Sequence, residues 1–78
     1  MREMDAIILR NIGAKIREIR LQKKLTQKEL AFILDIEISQ ITRIETGKIN
    51  TSILNLIKIS KALEIDIKEL FNFTIENK

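Results

Sequence analysis

Isoleucines recur at helical spacing in the first third of the chain. Ile8, Ile12, Ile16 and Ile19 follow one another at steps of four and three residues, which places them on one face of a helix over residues 5–24. The strict alternation of apolar and polar residues that marks a half-buried strand is absent here. The pattern therefore predicts a long amphipathic helix at the start of the chain.

A capping box predicts where the second helix begins. Thr26 and Glu29 have the spacing at which the side chain of each bonds the backbone amide of the other. The apolar face of this short helix comprises Leu30, Ile33 and Leu34. Residues 35–37 then form a tight connection, because Asp tolerates a left-handed backbone better than most residues other than glycine.

The third helix is predicted over residues 38–46, with Ile41 and Ile44 facing inward. Gly47 ends it, since glycine accepts the left-handed conformation without a Cβ clash. Together the second and third helices form a unit whose predicted buried positions are Leu30, Ala31, Leu34, Ile36, Ile41 and Ile44. The small side chain of Ala31 lets the two helices cross closely, so that one can project into a DNA groove.

Two more helices are predicted after a short loop. Ser52 caps a fourth helix, and Asp66 caps a short fifth helix that runs through Phe71. The apolar residues of the fourth helix are Ile53, Leu56, Ile57, Ile59, Ala62 and Leu63. The chain is therefore predicted to be an all-α, five-helix domain over residues 5–73, with a frayed tail over 74–78.

Charge and composition narrow the function. Of the eight charged residues from Arg10 to Lys28, seven are basic, although the net charge of the chain is only +3. This asymmetry indicates an anionic partner, the alternative being a solvated basic helix face. The chain has no cysteine and no histidine, which argues against disulfides, the usual metal sites and most enzyme chemistry. With no signal peptide or long apolar run, a cytoplasmic location is expected.

A set of residues resembles a known family. The matching pieces are Ile12-Gly13, Ile16-Arg17, Ile19-Arg20, Leu25-Thr26-Gln27, Glu29-Leu30-Ala31, Ile41, Arg43-Ile44-Glu45, Gly47-Lys48, Asn50, Lys58, Lys61-Ala62-Leu63 and Glu69-Leu70-Phe71. As a set they are similar to the lambda-repressor and Cro-type helix-turn-helix, or XRE, family. The resemblance implies a lambda-repressor-like fold that binds operator DNA as a symmetric dimer and regulates transcription. The short length also resembles restriction–modification controllers and small phage repressors.

The sequence departs from the family pattern at four positions. Asp35 and Glu64 stand where glycine is usual, Glu37 where the recognition helix usually begins with serine or threonine, and Thr51 where proline is common. Asp and Glu are accommodated at caps and turns, so none of these removes the fold. The carboxylate of Glu37 either caps the third helix or accepts from cytosine N4, and this affects the base preference.

Four residues on the outer face of the third helix are candidates for reading bases. They are Ile38, Ser39, Thr42 and Arg43. Ile38 places apolar area at a solvent-facing position, where a thymine methyl group would cover it; the alternative is a contact with a neighbouring helix. Arg43 can bond guanine O6 and N7 together, or a phosphate instead. Gln40 can bond adenine, or the first turn of its own helix.

A second set is predicted to contact the DNA backbone. It comprises Gln27, Arg17, Arg20, Lys28, Thr46, Lys48 and Asn50. Gln27 begins a helix, where amide protons favour a phosphate, and the resemblance implies the same role. The resemblance also implies a structural ion pair between Arg20 and Glu45. Gly13 is predicted to be a position of close packing, because no glycine-rich motif surrounds it.

These observations predict a sequence-specific transcriptional regulator, a repressor, bound to double-stranded DNA without cofactors and without a small-molecule effector. Apolar residues near the end of the chain suggest a second copy as partner, namely Leu54, Ile67, Phe71 and Phe73, although Phe71 is better explained as core. The alternative is an antitoxin or protein-interaction module that binds DNA secondarily. A membrane-surface helix over residues 1–24 is also conceivable from its basic face, but the complete domain downstream argues against it and against membrane binding.

Overall fold

Four α-helices and a 3-10 helix follow one another through the part of the chain that the structure, a computed structural model, describes, residues 2–75. The elements are α1 (Glu3–Gln22), α2 (Gln27–Leu34), α3 (Ile38–Glu45), α4 (Ile53–Ala62) and the 3-10 helix (Ile67–Phe71). Residues 2–75 contain no β-strand. The predicted all-α architecture is confirmed, but the prediction of five α-helices is wrong, since a segment of five residues forms only a tighter 3-10 turn. Within the predicted tail, residues 76–78 lie outside the described part, and 74–75 belong to no helix.

Side-chain caps begin three of these elements at the predicted residues. The hydroxyl of Thr26 accepts from the amide of Glu29 at 3.0 Å, and the carboxylate of Glu29 accepts from the amide of Thr26 at 2.9 Å. Ser52 accepts from the amide of Asn55 at 3.1 Å, and Asp66 from that of Lys68 at 3.0 Å. Each cap satisfies an amide that has no partner within its own helix.

All four α-helices end with the same backbone motif. Lys24, Asp35, Gly47 and Glu64 adopt left-handed φ angles of 60°, 56°, 70° and 57°. In each case the amide of the following residue donates to the carbonyl five residues earlier, as in the bond from Ile36 to Ala31 at 3.0 Å. Only Gly47 cannot carry a side chain, because a Cβ there would lie 2.7 Å from the backbone nitrogen of Arg10.

The helices share one cluster of buried apolar side chains. Its members are Ile12, Ile16, Ile19, Leu30, Ala31, Ile41, Ile44, Leu56, Ile59, Leu63 and Leu70. Ile36, which was predicted to be buried, is 36% exposed in the connection after α2. Ile33, on the predicted apolar face of α2, is 52% exposed, because α2 buries only the narrow face that carries Leu30 and Ala31, with Leu34 half-buried beside them.

The end of the chain also differs from the prediction. Phe71 was expected to close the core, yet 45% of it is exposed, and the neighbouring Leu70 is the fully buried residue. Ile67 and Phe73, expected in an exposed patch, instead pack partly buried against the core. A 3-10 turn repeats every three residues, so Ile67 and Leu70 share its inner face and Phe71 turns outward.

Gly13 brings α1 into direct contact with α3. A Cβ at this position would overlap the carbonyl oxygen of Ile44 and lie 2.6 Å from that of Glu45. Both neighbours are backbone atoms, which cannot move aside as the end of a flexible side chain can. The predicted packing role of Gly13 is confirmed, and the backbone contact fixes how closely α3 lies against α1.

Candidate nucleic-acid interface

The third helix has two sharply different faces. Ile41, Ile44 and Glu45 are buried against α1 and α2. All four side chains predicted to read bases lie on the other face and are exposed, namely Ile38, Ser39, Thr42 and Arg43. Ile38 leaves 45% of its surface exposed at the start of the helix. The buried face fixes the helix, and the exposed face is free to enter a groove of about the width of one helix.

A buried ion pair braces this helix from behind. The Nε of Arg20 donates to Glu45 at 2.6 Å and its second terminal nitrogen donates at 3.1 Å, which gives a bidentate contact between α1 and α3. A further guanidinium nitrogen donates to the carbonyl of Leu25 at 2.8 Å. Both residues are 5% exposed. The structure thus brings together the two residues that the family resemblance pairs.

The burial of Arg20 also bears on a second role that was predicted for it. Arg20 was also expected to contact a DNA phosphate with a free edge of its guanidinium group. Its nitrogens are instead bound to Glu45 and Leu25, and its side chain is 7% exposed. Arg20 therefore belongs to the support of α3, and its contact with a DNA phosphate through the two remaining N–H groups stays a prediction.

Two side chains at the edge of the exposed face are joined to the ion pair. The Nε2 of Gln27 donates to Glu45 at 3.1 Å, and the Oε1 of Gln27 accepts from the hydroxyl of Thr42 at 3.1 Å. Residue spacing within one helix does not predict these hydrogen bonds. Gln27 is 15 residues from Thr42 and 18 from Glu45, so only the packing of α2 on α3 brings them together.

The remaining predicted backbone contacts lie on exposed surface with one exception. Arg17, Lys28, Thr46, Lys48 and Asn50 are exposed, whereas Gln27 is half-buried. The hydroxyl of Thr46 donates its proton to the carbonyl of Thr42 at 2.7 Å. The hydroxyl oxygen can still accept a hydrogen bond from an N–H group, but no proton remains to donate to a phosphate. The basic side chains Arg17 and Lys28 come from α1 and α2, and Lys48 follows α3.

Glu37 occupies the N-cap position of α3, but the interpretation that its carboxylate caps the helix is wrong. Its side chain makes no capping hydrogen bond, in contrast to those of Thr26 and Ser52. The carboxylate therefore lies exposed beside Ile38, at the end of α3 where the helix dipole is positive.

Comparison with known proteins identifies the family. A helix-turn-helix family model matches residues 16–70, which covers α2, α3, α4 and most of the 3-10 helix. The chain belongs to the XRE-type helix-turn-helix family. Proteins of this family bind DNA and regulate transcription, and this helix-turn-helix protein is a DNA-binding regulator of that type.

Several of the relatives are named as control or controller proteins. The helix-turn-helix protein is 46% identical over 63 residues to the control protein C.BamHI of Bacillus amyloliquefaciens, covering 80% of the chain and 78% of the relative. It is 39% identical over 61 residues to the control protein C.MunI of a Mycoplasma species, covering 77% and 82%. The crystal structure of the restriction–modification controller protein C.AhdI from Aeromonas hydrophila superposes with a TM-score of 0.78 at 38% identity, covering 81% of this chain and 96% of that one.

The helix-turn-helix protein keeps its fold despite the four departures from the family pattern. Asp35 and Glu64, which replace the usual glycines, adopt the left-handed conformation that glycine would supply.

Within residues 2–75, no helix combines the length and the apolar character that crossing a membrane requires.

Proposed function

We propose that this protein binds operator sites in double-stranded DNA as a two-fold dimer, with α3 in the major groove, and regulates restriction–modification genes. Repression is the expected direction of control. The observation that carries the proposal is the exposed face of α3, where Ile38, Ser39 and Arg43 project from a helix whose opposite face is buried. The names of the relatives supply the class of genes.

Base selection rests on three side chains in this proposal. Ile38 covers a thymine methyl group, which compensates for its 45% exposure in the free protein. Arg43 donates two hydrogen bonds to guanine O6 and N7, an interaction worth about 1–3 kcal/mol of discrimination. Ser39 can donate or accept at several base edges and adds little selectivity by itself.

Contacts to the sugar–phosphate backbone set affinity and register. We assign them to the exposed side chains Arg17, Lys28, Lys48 and Asn50, and to the amides of Gln27 and Lys28 that begin α2. The cationic members release counterions on binding, so affinity should fall steeply with salt concentration. This mechanism needs no cofactor and no catalytic group, so we do not expect the protein to be an enzyme. We expect it to act in the cytoplasm.

The dimer places two recognition helices on one side of the duplex. Leu54 and Phe71 are 60% and 45% exposed, and the neighbouring α4 residues Ile53 and Ile57 are exposed as well. Apolar area of this kind is costly in a free monomer and favours a second copy. Two-fold symmetry would then set the two half-sites about 34 Å apart, one turn of DNA.

Selection of bound sites from a random duplex library, with the full-length chain, tests the proposal. The expected result is a palindromic site bound at nanomolar-class concentration with strong salt dependence. Arg43→Gln should then relax the preference at one base pair per half-site, whereas Lys48→Gln should weaken all sequences alike and lower the salt slope by about 1.

Two results would contradict the proposal. One is the absence of any preferred duplex at physiological salt. The other is a pull-down that returns a single stoichiometric protein partner while DNA binding stays unselective, which would favour the protein-interaction module instead.

A further inference from the structure

The side-chain amide of Gln27 is engaged at both ends within the protein. Its Nε2 lies 3.1 Å from the carboxylate of Glu45, and its Oε1 lies 3.1 Å from the hydroxyl of Thr42. A carboxylate only accepts hydrogen bonds, so the nitrogen of the amide must face Glu45 and the oxygen must face Thr42. The hydroxyl of Thr42 must therefore be the donor in that pair.

The hydroxyl proton of Thr42 is used within the protein. Its two acceptors within reach are the Oε1 of Gln27 at 3.1 Å and the carbonyl of Ile38, in its own helix, at 3.3 Å. Either choice leaves no hydroxyl proton for a base acceptor. Although the side chain is exposed, its donor is already used inside the protein.

Gln27 also holds α3 at two points on one side of the helix. Thr42 and Glu45 are three residues apart, so they lie on adjacent turns along one border between the exposed and the buried face. A rigid contact at two such points resists rotation of α3 about its own axis. Arg43 follows Thr42 directly and Ile38 lies one turn before it, so the same contact sets the direction of both base-reading side chains.

We propose that Gln27 and Thr42 are positioning residues, which connect the buried Arg20–Glu45 pair to the DNA-facing surface and fix the rotation of α3. This replaces the roles predicted from the sequence, a phosphate contact for Gln27 and a base contact for Thr42. The inference rests on the proposed function, because its consequence is the selectivity of α3 for base pairs. One Nε2 proton of Gln27 remains outside the two bonds, and the experiment separates a phosphate contact through it from the positioning role.

The test uses Thr42→Val, Gln27→Met, the double variant and Thr42→Ser in the full-length chain. Each is measured against the selected operator, against operators with single base-pair changes, and against unrelated duplex DNA. Thr42→Val and Gln27→Met should each lower operator affinity about tenfold, with affinity for unrelated DNA within about twofold of the parent. The loss should fall on all base pairs that α3 reads, the double variant should be no worse than either single one, and Thr42→Ser should bind as the parent does.

Other outcomes overturn the inference. A loss at one base pair alone for Thr42→Val would make Thr42 a direct base contact. An equal loss for operator and unrelated DNA in Gln27→Met would make Gln27 a phosphate contact. Additive losses in the double variant would show that the two residues act independently.

A measurement without DNA distinguishes failure of this inference from failure of the proposed function. Urea unfolding of the parent, Thr42→Val, Gln27→Met and the double variant forms a double-mutant cycle in the free protein, where coupling between Gln27 and Thr42 is expected whatever the ligand. Absence of coupling overturns the inference even if the operator is bound. Coupling in a protein that prefers no duplex would overturn the proposed function, and with it the effect on selectivity.

Discussion

At the scale of single residues, the buried charges are the most consequential feature. Arg20 and Glu45 are 5% exposed and joined at 2.6 Å, whereas the other described ion pair, Lys15 with Glu18, leaves 54% of the Glu18 side chain exposed. A buried charge that loses its partner cannot be solvated, so the two pairs should respond very differently to the same substitution.

Glu45→Gln should therefore lower the free energy of unfolding by about 3–5 kcal/mol, because it leaves the guanidinium of Arg20 buried without a counter-charge. Urea denaturation followed by circular dichroism measures the change. Glu18→Gln, with the same chemistry on an exposed pair, is the control and should cost less than about 1 kcal/mol. Similar losses in the two variants would contradict the importance of burial.

Residue-scale prediction succeeded where local spacing decides the outcome. Ile38, Ser39 and Arg43 are exposed as expected, because helical periodicity alone assigns them to the face opposite Ile41 and Ile44. It failed where distant polar groups meet. The burial of Arg20 and the bonds of Gln27 depend on how α1, α2 and α3 pack, which no spacing within one helix encodes.

At the scale of elements, three α-helices use a left-handed residue that is not glycine, at some cost. Such a conformation costs about 1–2 kcal/mol for a residue with a Cβ, partly offset by the restricted unfolded chain. Glu64→Gly should consequently raise the free energy of unfolding by roughly 0.5–1 kcal/mol, since Glu64 has a φ of 57°. The midpoint temperature of thermal unfolding, compared with that of the parent, measures this gain in stability.

Gly47→Ala is the opposing control. It should destabilise the protein by at least about 1 kcal/mol, because φ is +70° and the new Cβ would meet the backbone of Arg10. A neutral effect of this substitution would show that the end of α3 can relax away from α1.

The capping box of α2 gives the stability a dependence on pH. The backbone N–H of Thr26, and then its hydroxyl, bond the carboxylate of Glu29 and hold its pKa below the ordinary value of 4.5. Because the pKa is lower in the folded state, the carboxylate contributes stability above pH 4.5, and this is lost as the pH falls through the lowered pKa.

Glu29→Gln should therefore be less stable than the parent near neutral pH, and the difference should shrink as the pH falls below 4.5. Urea unfolding at a series of pH values checks this. A constant difference between Glu29→Gln and the parent would contradict the role of the ionised cap.

The first residues of the capped helices were predictable from the sequence. The buried faces of the helices were predictable only in part. Thr26, Ser52 and Asp66 cap their helices because the capping bond is local. The exposure of Ile33 shows the limit, since periodicity identifies an apolar stripe but not how much of it neighbouring helices cover. The 3-10 helix likewise reflects its position against the core rather than a sequence signal.

At the scale of the whole molecule, the proposed self-association rests on the exposed apolar area of α4. Leu54→Glu should shift the protein toward monomer and weaken operator binding, because a charge would be buried between two copies. Sedimentation velocity across a concentration series measures the association. Phe32→Glu is the matched control, since Phe32 is 86% exposed on α2 and not on α4, and its replacement should leave association unchanged.

Association lost equally in both variants would contradict the placement of the dimer surface on α4.

The sequence had suggested a different surface, in which Ile67 and Phe73 joined Leu54 and Phe71. Hydrophobicity alone could not separate residues that close the monomer core from those left for a partner, because both kinds lie in the same short stretch of chain.

The uniform helix ends have a kinetic consequence. Because each helix turns back within its own last residues, the connections are short, the longest running over residues 46–52, and the chain has no proline. Local contacts of this kind favour rapid collapse to the native topology, and no prolyl bond has to isomerise. Stopped-flow refolding of the monomer should be complete within milliseconds to a fraction of a second, without a component lasting tens of seconds.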